Sequence, residues 1–317
     1  MRYRSDAMEF NHYSVMLSET VDALRVRDDG VYIDGTLGGG GHAEKILKSG
    51  ENVRLIGIDR DRDALSAAGE RLSPFADRLT LVHDNFSNIK KILAELGING
   101  IDGMVLDLGV SSYQLDNAER GFSYMSDAPL DMRMNRDDTK TAFDVINGYD
   151  RDRLSEIFFA YGEEKWSKRI AGFIEEKRKK APIKTTAELA GIVKEAVPAG
   201  AREGIAHPEK RIFQAVRIEV NNELDILKSA IFDIADELKS GARLAVITFH
   251  SLEDRIVKQA FSELSKGCIC PADFPVCVCG KKPQVKVITR KPQLPQEAEL
   301  TANSRSKSAK LRVCEKI

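Results

Sequence analysis

The chain has 317 residues, 42% hydrophobic and 31% charged, with a formal net charge of −1. That balance fits a globular protein with two domains or one enlarged one, and it excludes binding of nucleic acid through overall positive charge. No run nears the ~18 apolar residues of a membrane span. The N-terminus, Met1-Arg-Tyr-Arg-Ser-Asp6, lacks the apolar core of a signal peptide, so a cytoplasmic location is expected.

Ser14 to Leu24 reads as a helix leading into a first strand, Val31-Tyr-Ile-Asp34. The strand runs into five glycines within seven residues, Gly35 and Gly38 to Gly41, and then into a short helix, Ala43 to Lys48, stopped by Gly50. Glycine lets the backbone turn sharply and lets a ligand come close. A loop of this kind between strand and helix usually holds a nucleotide-like ligand at the carboxyl edge of a parallel sheet; a flexible glycine linker is the other reading. It is not a Walker phosphate loop, since no Gly-Lys-Ser/Thr follows, and it fits Gly-x-Gly-x-x-Gly in several registers.

Val53 to Asp59 reads as a second buried strand ending in an acid. Asp59 falls about where a carboxylate accepts hydrogen bonds from ribose hydroxyls. The third strand, Leu79 to Phe86, ends in a cluster where Phe86 can cover an adenine face and Asp84 or Asn85 can meet its amino edge; plain core packing is the other reading of Phe86. The fourth, Gly103 to Gly109, carries Asp107 near its carboxyl end. Four successive strand ends thus present polar or glycine residues to one crevice.

The next strand-like run, Ala242 to Phe249, comes more than 130 residues later, too far for an ordinary crossover, so something is inserted. The insert reads as helical: Asp150 to Gly162, Lys165 to Lys180, Thr185 to Val197 with a Thr-x-x-Glu start, and His207 to Lys239 with a break near Asn221-Asn222. In the loop before it, Gly121 to Met134, Met132 and Met134 read as packing residues and Asp131 and Arg133 as functional ones. After the fifth strand, His250 and Ser251 are neighbours without a Gly-x-Ser-x-Gly elbow, so a hydrolase is disfavoured and Ser251 is expected to cap a helix.

Charge is uneven. Lys281 to Ile317 holds ten Lys/Arg against three Glu, and Lys165 to Lys184 holds eight basic residues against two acidic ones. Such surfaces on a neutral protein can grip a phosphate backbone; for Lys177 to Lys180 a solvated helix end is the equal alternative. Cys268, Cys270, Cys277 and Cys279 form two Cys-x-Cys pairs, open to zinc, a reversible disulfide or unligated thiols. No metal is assigned.

Taken together, the motifs resemble one family, the bacterial small-subunit rRNA cytosine-N4 methyltransferases, which use S-adenosylmethionine (SAM). The resemblance rests on His12 to Leu17, Tyr32 to His42, Gly57 to Asp61, Leu106 to Asp116, Ala118 to Ser123, Pro129 to Met134, Tyr161 to Glu164, Arg211 to Ile218 and Phe249 to Val257. It covers the chain from about Asn11 to Val313.

The resemblance implies an α/β fold: a doubly wound, seven-stranded, Rossmann-like SAM-dependent methyltransferase sheet. Residues 1–134 and 213–317 would form it, and an inserted all-helical subdomain at 135–212 would recognise rRNA. It implies methyl transfer to the exocyclic N4 of a cytidine in the decoding region (P site) of 16S rRNA, within the small ribosomal subunit and without a membrane. The oligomeric state, a homodimer included, stays open. By motif matching, the SAM contacts fall on Gly40, Gly41, His42, Asp59, Phe86, Asp107 and Gln114.

Cytosine N4 is a poor nucleophile because its lone pair conjugates with the ring, so an acceptor near N4–H would assist. Many amino-methyltransferases carry Asp/Asn/Ser-Pro-Pro-aromatic after the fourth strand; here the run is Asp107-Leu-Gly-Val-Ser-Ser-Tyr113. Asp107 with Ser111 or Ser112 is expected to line the acceptor site. Arg305, Lys307, Lys310 and Arg312 are expected to hold the surrounding rRNA. On the residues alone, a nicotinamide oxidoreductase and a ribosome-assembly protein with a vestigial cofactor site stay open.

Overall fold

The computed structural model describes residues 14–202, 207–268, 270, 276 and 278–317, apart from the side chains of residues 112, 201 and 202. The opening His12-Tyr13 of the first matched motif and Cys277 lie outside the described residues.

One seven-stranded sheet organises the chain: β1 (Val31–Asp34), β2 (Arg54–Asp59), β3 (Leu79–His83), β4 (Ile101–Asp107), β5 (Leu238–Thr248), β6 (Val285–Val287) and β7 (Lys310–Lys316). The order is β3-β2-β1-β4-β5-β7-β6. The first five strands pair in parallel, while β7 pairs antiparallel to β5 and β6. The order reverses at β1/β4, which opens a crevice at the carboxyl ends of those two strands. β1 is buried at every position, as a central strand covered on both faces requires.

Helices flank the sheet: α1 (Leu17–Leu24), α2 (Gly41–Leu47), α3 (Arg62–Arg71), α4 (Ile89–Glu95) and the short α5 (Ser112–Asp116). Then come α6 (Ala142–Gly148), α7 (Arg151–Ala160), α8 (Ser167–Arg178), α9 (Thr186–Ala196), α10 (Ala199–Arg202), α11 (Glu209–Asn221) and α12 (Asp225–Glu237). The chain finishes with α13 (Ser251–Ser265) and α14 (Glu297–Ala302) among the last strands. Two apolar cores lie on either side of the sheet, and a third joins α6, α7, α8, α9 and α11 with Phe122, Leu130, Met132 and Met134. Met132 and Met134 therefore pack, as expected from the sequence. Asp131 and Arg133, read as functional, form a two-pronged ion pair that shapes their own loop, with Arg133 also reaching the carbonyls of Arg136 and Asp138.

The long helical run to Lys239 breaks where the paired asparagines suggested. Asn222 takes a left-handed backbone, φ 50°, and ends α11. The side chain of Asn221 is buried and joins the Met132 carbonyl to the Met134 N–H, fastening α11 to the loop before the insert. No described helix is long and apolar enough to cross a membrane.

Candidate active site at the carboxyl edge of the sheet

The glycine loop is closed by a carboxylate from the next strand. Asp59 accepts the Gly38 N–H at 2.8 Å through one oxygen and the Asp61 N–H at 2.9 Å through the other. Gly38 and Gly40 have positive φ, 49° and 75°, a backbone that residues with a Cβ adopt only under strain. Helix α2 starts at Gly41, so His42 lies inside it rather than before it. The His42 Nε2 lies 3.1 Å from the Val15 carbonyl, which can only accept, so the proton sits on Nε2 and Nδ1 faces Asp107 at 3.8 Å.

These elements wall a cavity of about 330 Å³. Of the residues matched to SAM binding, Gly41, His42, Asp59, Phe86, Asp107 and Gln114 line it. Gly40 does not: it stands at the start of α2 facing Leu72 and Ala68 of the α3 region, where a Cβ would come within 3.2–3.3 Å of them. Phe86 begins a short 3-10 turn after β3, half-buried at the cavity wall.

Ser111 caps α5. Its Oγ accepts the Gln114 N–H at 3.2 Å while the Gln114 Oε1 accepts the Ser111 N–H at 3.1 Å. The Gln114 amide then donates to buried Asp61 at 2.8 Å, and Asp61 also receives the Arg120 guanidinium at 2.8 Å. Ser111 lines the cavity; the side chain of Ser112 lies outside the described part.

The carboxyl groups here are hard to ionise. Burial pushes Asp34 up to about 7 and Asp59 up to about 6. Asp107 is raised well above the usual carboxylate range, first by burial and then by the charges of Asp34, Glu253 and Glu299. Its Oδ1 is buried and has no hydrogen-bond partner among the described residues.

The opposite wall comes from the helical side of the molecule. Lys210, Gln214 and Arg217 lie on one face of α11, three and four residues apart, and Glu223 follows the break. Arg217 is held by a forked pair to Glu223 at 2.9 Å. The sequence reading missed this wall, although the matched run Arg211 to Ile218 contained two of its members at helical spacing.

The start of α13 supplies Glu253, with His250 at the cap just before it. Glu253 is buried, which alone would raise it, yet His250, Arg217 and the Phe249 N–H hold its carboxyl below the usual range. It accepts the N–H groups of Phe249 and His250, so His250 occupies the cap position. Ser251, expected to cap, is instead the first helical residue, and its hydroxyl donates to Glu163 of the insert.

The basic C-terminal residues are mostly engaged within the fold. Arg312 and Lys310 both face Asp254, at 2.6 and 3.5 Å, and Arg305 pairs with Asp116. Lys307, exposed, is the member of that group without a carboxylate partner among the described residues.

The MraW methylase family model matches residues 9–317. The chain belongs to this family. Ribosomal RNA small subunit methyltransferase H from two Clostridium botulinum strains, Loch Maree and Kyoto, is 58% identical over 98% of this chain and 100% of the relative's length. A solved rRNA methylase from Streptococcus thermophilus aligns over 96% of this chain and 98% of its own, at 13% identity and a TM-score of 0.43.

Proposed function

We propose that this protein is a SAM-dependent 16S rRNA (cytosine-N4)-methyltransferase, acting in the cytoplasm on the P-site region of the small ribosomal subunit. The observation that carries the reading is the cavity's two unlike walls: a glycine loop closed by Asp59 on one side, and polar side chains of α11 on the other. Such a site has room for a nucleotide-like cofactor and a second, polar group beside it. Family membership and the names of close relatives support an rRNA methyl acceptor.

The residues present fit SAM. Asp59 keeps lone pairs for ribose hydroxyls, Phe86 offers a face for adenine, and the Asp107 Oδ1, without a hydrogen-bond partner among the described residues, gives a cation or an N–H a place to bind. Gly41, His42 and Gln114 complete the cofactor wall, with Gly40 fixing the turn behind them. SAM supplies a methyl group activated by a sulfonium.

Asp107 is the proton acceptor in this reading. Its raised pKa makes the ionised form a stronger base than a surface aspartate, and positive charge in the cavity favours that form. Drawing a proton from the exocyclic amine localises the lone pair as the new C–N bond forms. Ser111 orients the amine, with Ser112 beside it in sequence. The helical region, residues 135–212 in our assignment, holds the rRNA around an unstacked cytidine.

The test is transfer of tritium from labelled SAM to small subunits of a strain lacking this protein, followed by mass mapping of the 16S rRNA. One labelled cytidine is expected; label elsewhere or none rejects the reading.

A further inference from the structure

We propose that Cys268, Cys270 and Cys279 bind one zinc ion as thiolates, at a structural site separate from the methyltransferase cavity. The three Sγ atoms all lie within 4.8 Å of one another. A tetrahedral zinc with bonds of ~2.3 Å places its sulfur ligands about 3.8 Å apart. The Cys268 and Cys279 sulfurs are 3.7 Å apart. A disulfide needs about 2.05 Å and joins only two sulfurs, so it does not account for three gathered ones.

The surrounding backbone also suits anionic sulfur. The Cys270 N–H points to the Cys268 Sγ and the Val278 N–H to the Cys270 Sγ, both at 3.4 Å. Cys314 behaves otherwise. It is buried in β7, and burial pushes its thiol up to about 12.

The fold explains what a metal would do here. The connection from α13 to β6 is closed at its base, where the Gln284 N–H meets the Leu264 carbonyl at 2.9 Å. Beyond that point the described apolar residues Val276 and Val278 are 70% and 74% exposed, so neither packs into a core. A metal ion joining Cys268 and Cys270 to Cys279 ties the two ends of this connection together. The site lies beyond the far end of α13, whose 15 residues span about 22 Å from the cavity edge. That distance assigns the ion a structural role.

The full-length protein, purified with reductant and without chelator, should contain about one zinc per chain by elemental mass spectrometry. Cys268→Ser and Cys279→Ser should each lower this below about one-tenth, while Cys314→Ser keeps it. Cobalt should replace zinc with the intense visible absorption of a tetrahedral thiolate site. SAM affinity by calorimetry should stay within about twofold in Cys268→Ser, which also establishes that the variant is folded. Metal-free wild-type protein that fails to take up cobalt overturns the proposal. Zinc retained in both serine variants, or a Cys268–Cys279 disulfide found by mass in reduced preparations, overturns it equally.

Discussion

Asp34 and Asp107 end neighbouring parallel strands on the same face of the sheet. Asp34 pairs with Val105, two residues before Asp107, and the charge of Asp34 raises the cost of ionising Asp107. Such an arrangement is unfavourable for a core and makes sense at a crevice that receives a cation.

The stability of the ligand-free protein should therefore fall as pH rises. Asp34 goes from 3.8 to about 7 on folding. Between those values the folded chain holds a proton that the unfolded chain has lost, so raising pH through this window weakens folding. Asp34→Asn keeps an acceptor for the Thr36 N–H and removes the titration. It should stabilise the ligand-free protein by roughly 2–4 kcal/mol at pH 8 and by little near pH 4. Thermal melts of both proteins at the two values check this; equal differences at both would sink the explanation.

Cofactor affinity should depend on pH through Asp59. A protonated carboxyl is a weaker acceptor for ribose hydroxyls, and this group goes up to about 6. SAM binding should weaken about tenfold from pH 7.5 to pH 5. In Asp59→Asn the affinity should be low and flat, because the amide cannot regain the charge. Calorimetric titration across the range decides it.

The fold was readable wherever a pattern was local. Val31 to Asp34 followed by glycines, the Thr185 to Glu188 start of α9 and the Asn221-Asn222 break each carry their own conformational instruction. β6 and β7 were not readable. β6 has three residues, and the basic character of Lys310 to Lys316 concealed a strand whose Leu311, Val313 and Arg312 are all buried. Arg312 is paired with Asp254, which lies 58 positions away, so only the fold brings the two together. The α11 wall of the cavity was equally hidden, since helical spacing shows which residues share a face but not what that face meets.

The buried Arg120 should be the costliest single charge to remove. It is 1% exposed and holds Asp61 while also donating to the carbonyls of Arg133 and Met134. Arg120→Met would leave Asp61 buried without its counter-charge, a loss of about 3–5 kcal/mol. Arg120→Lys should recover only part of it, because one ammonium cannot span the carboxylate and both carbonyls. Denaturant unfolding of the two variants measures the difference. Gln114 shares Asp61, so SAM affinity should fall in both.

Binding of rRNA should depend on the cations that the fold leaves unpaired rather than on the basic composition of the C-terminus. Lys210 and Lys307 are exposed and have no carboxylate partner among the described residues, whereas Arg312 is buried against Asp254. Lys210 lines the cavity, and Lys307 precedes Ser308, which also lines it. Each phosphate contact to a single strand contributes about −0.7 to the slope of log affinity against log salt. The double variant Lys210→Ala/Lys307→Ala should therefore flatten that slope by about 1.4 on a 16S rRNA fragment. Arg312→Ala should lower the melting temperature, because it leaves Asp254 poorly paired, and leave the slope unchanged. The reverse pattern in a potassium chloride series would return the RNA contact to Arg312, and would require its ion pair with Asp254 to open when RNA binds.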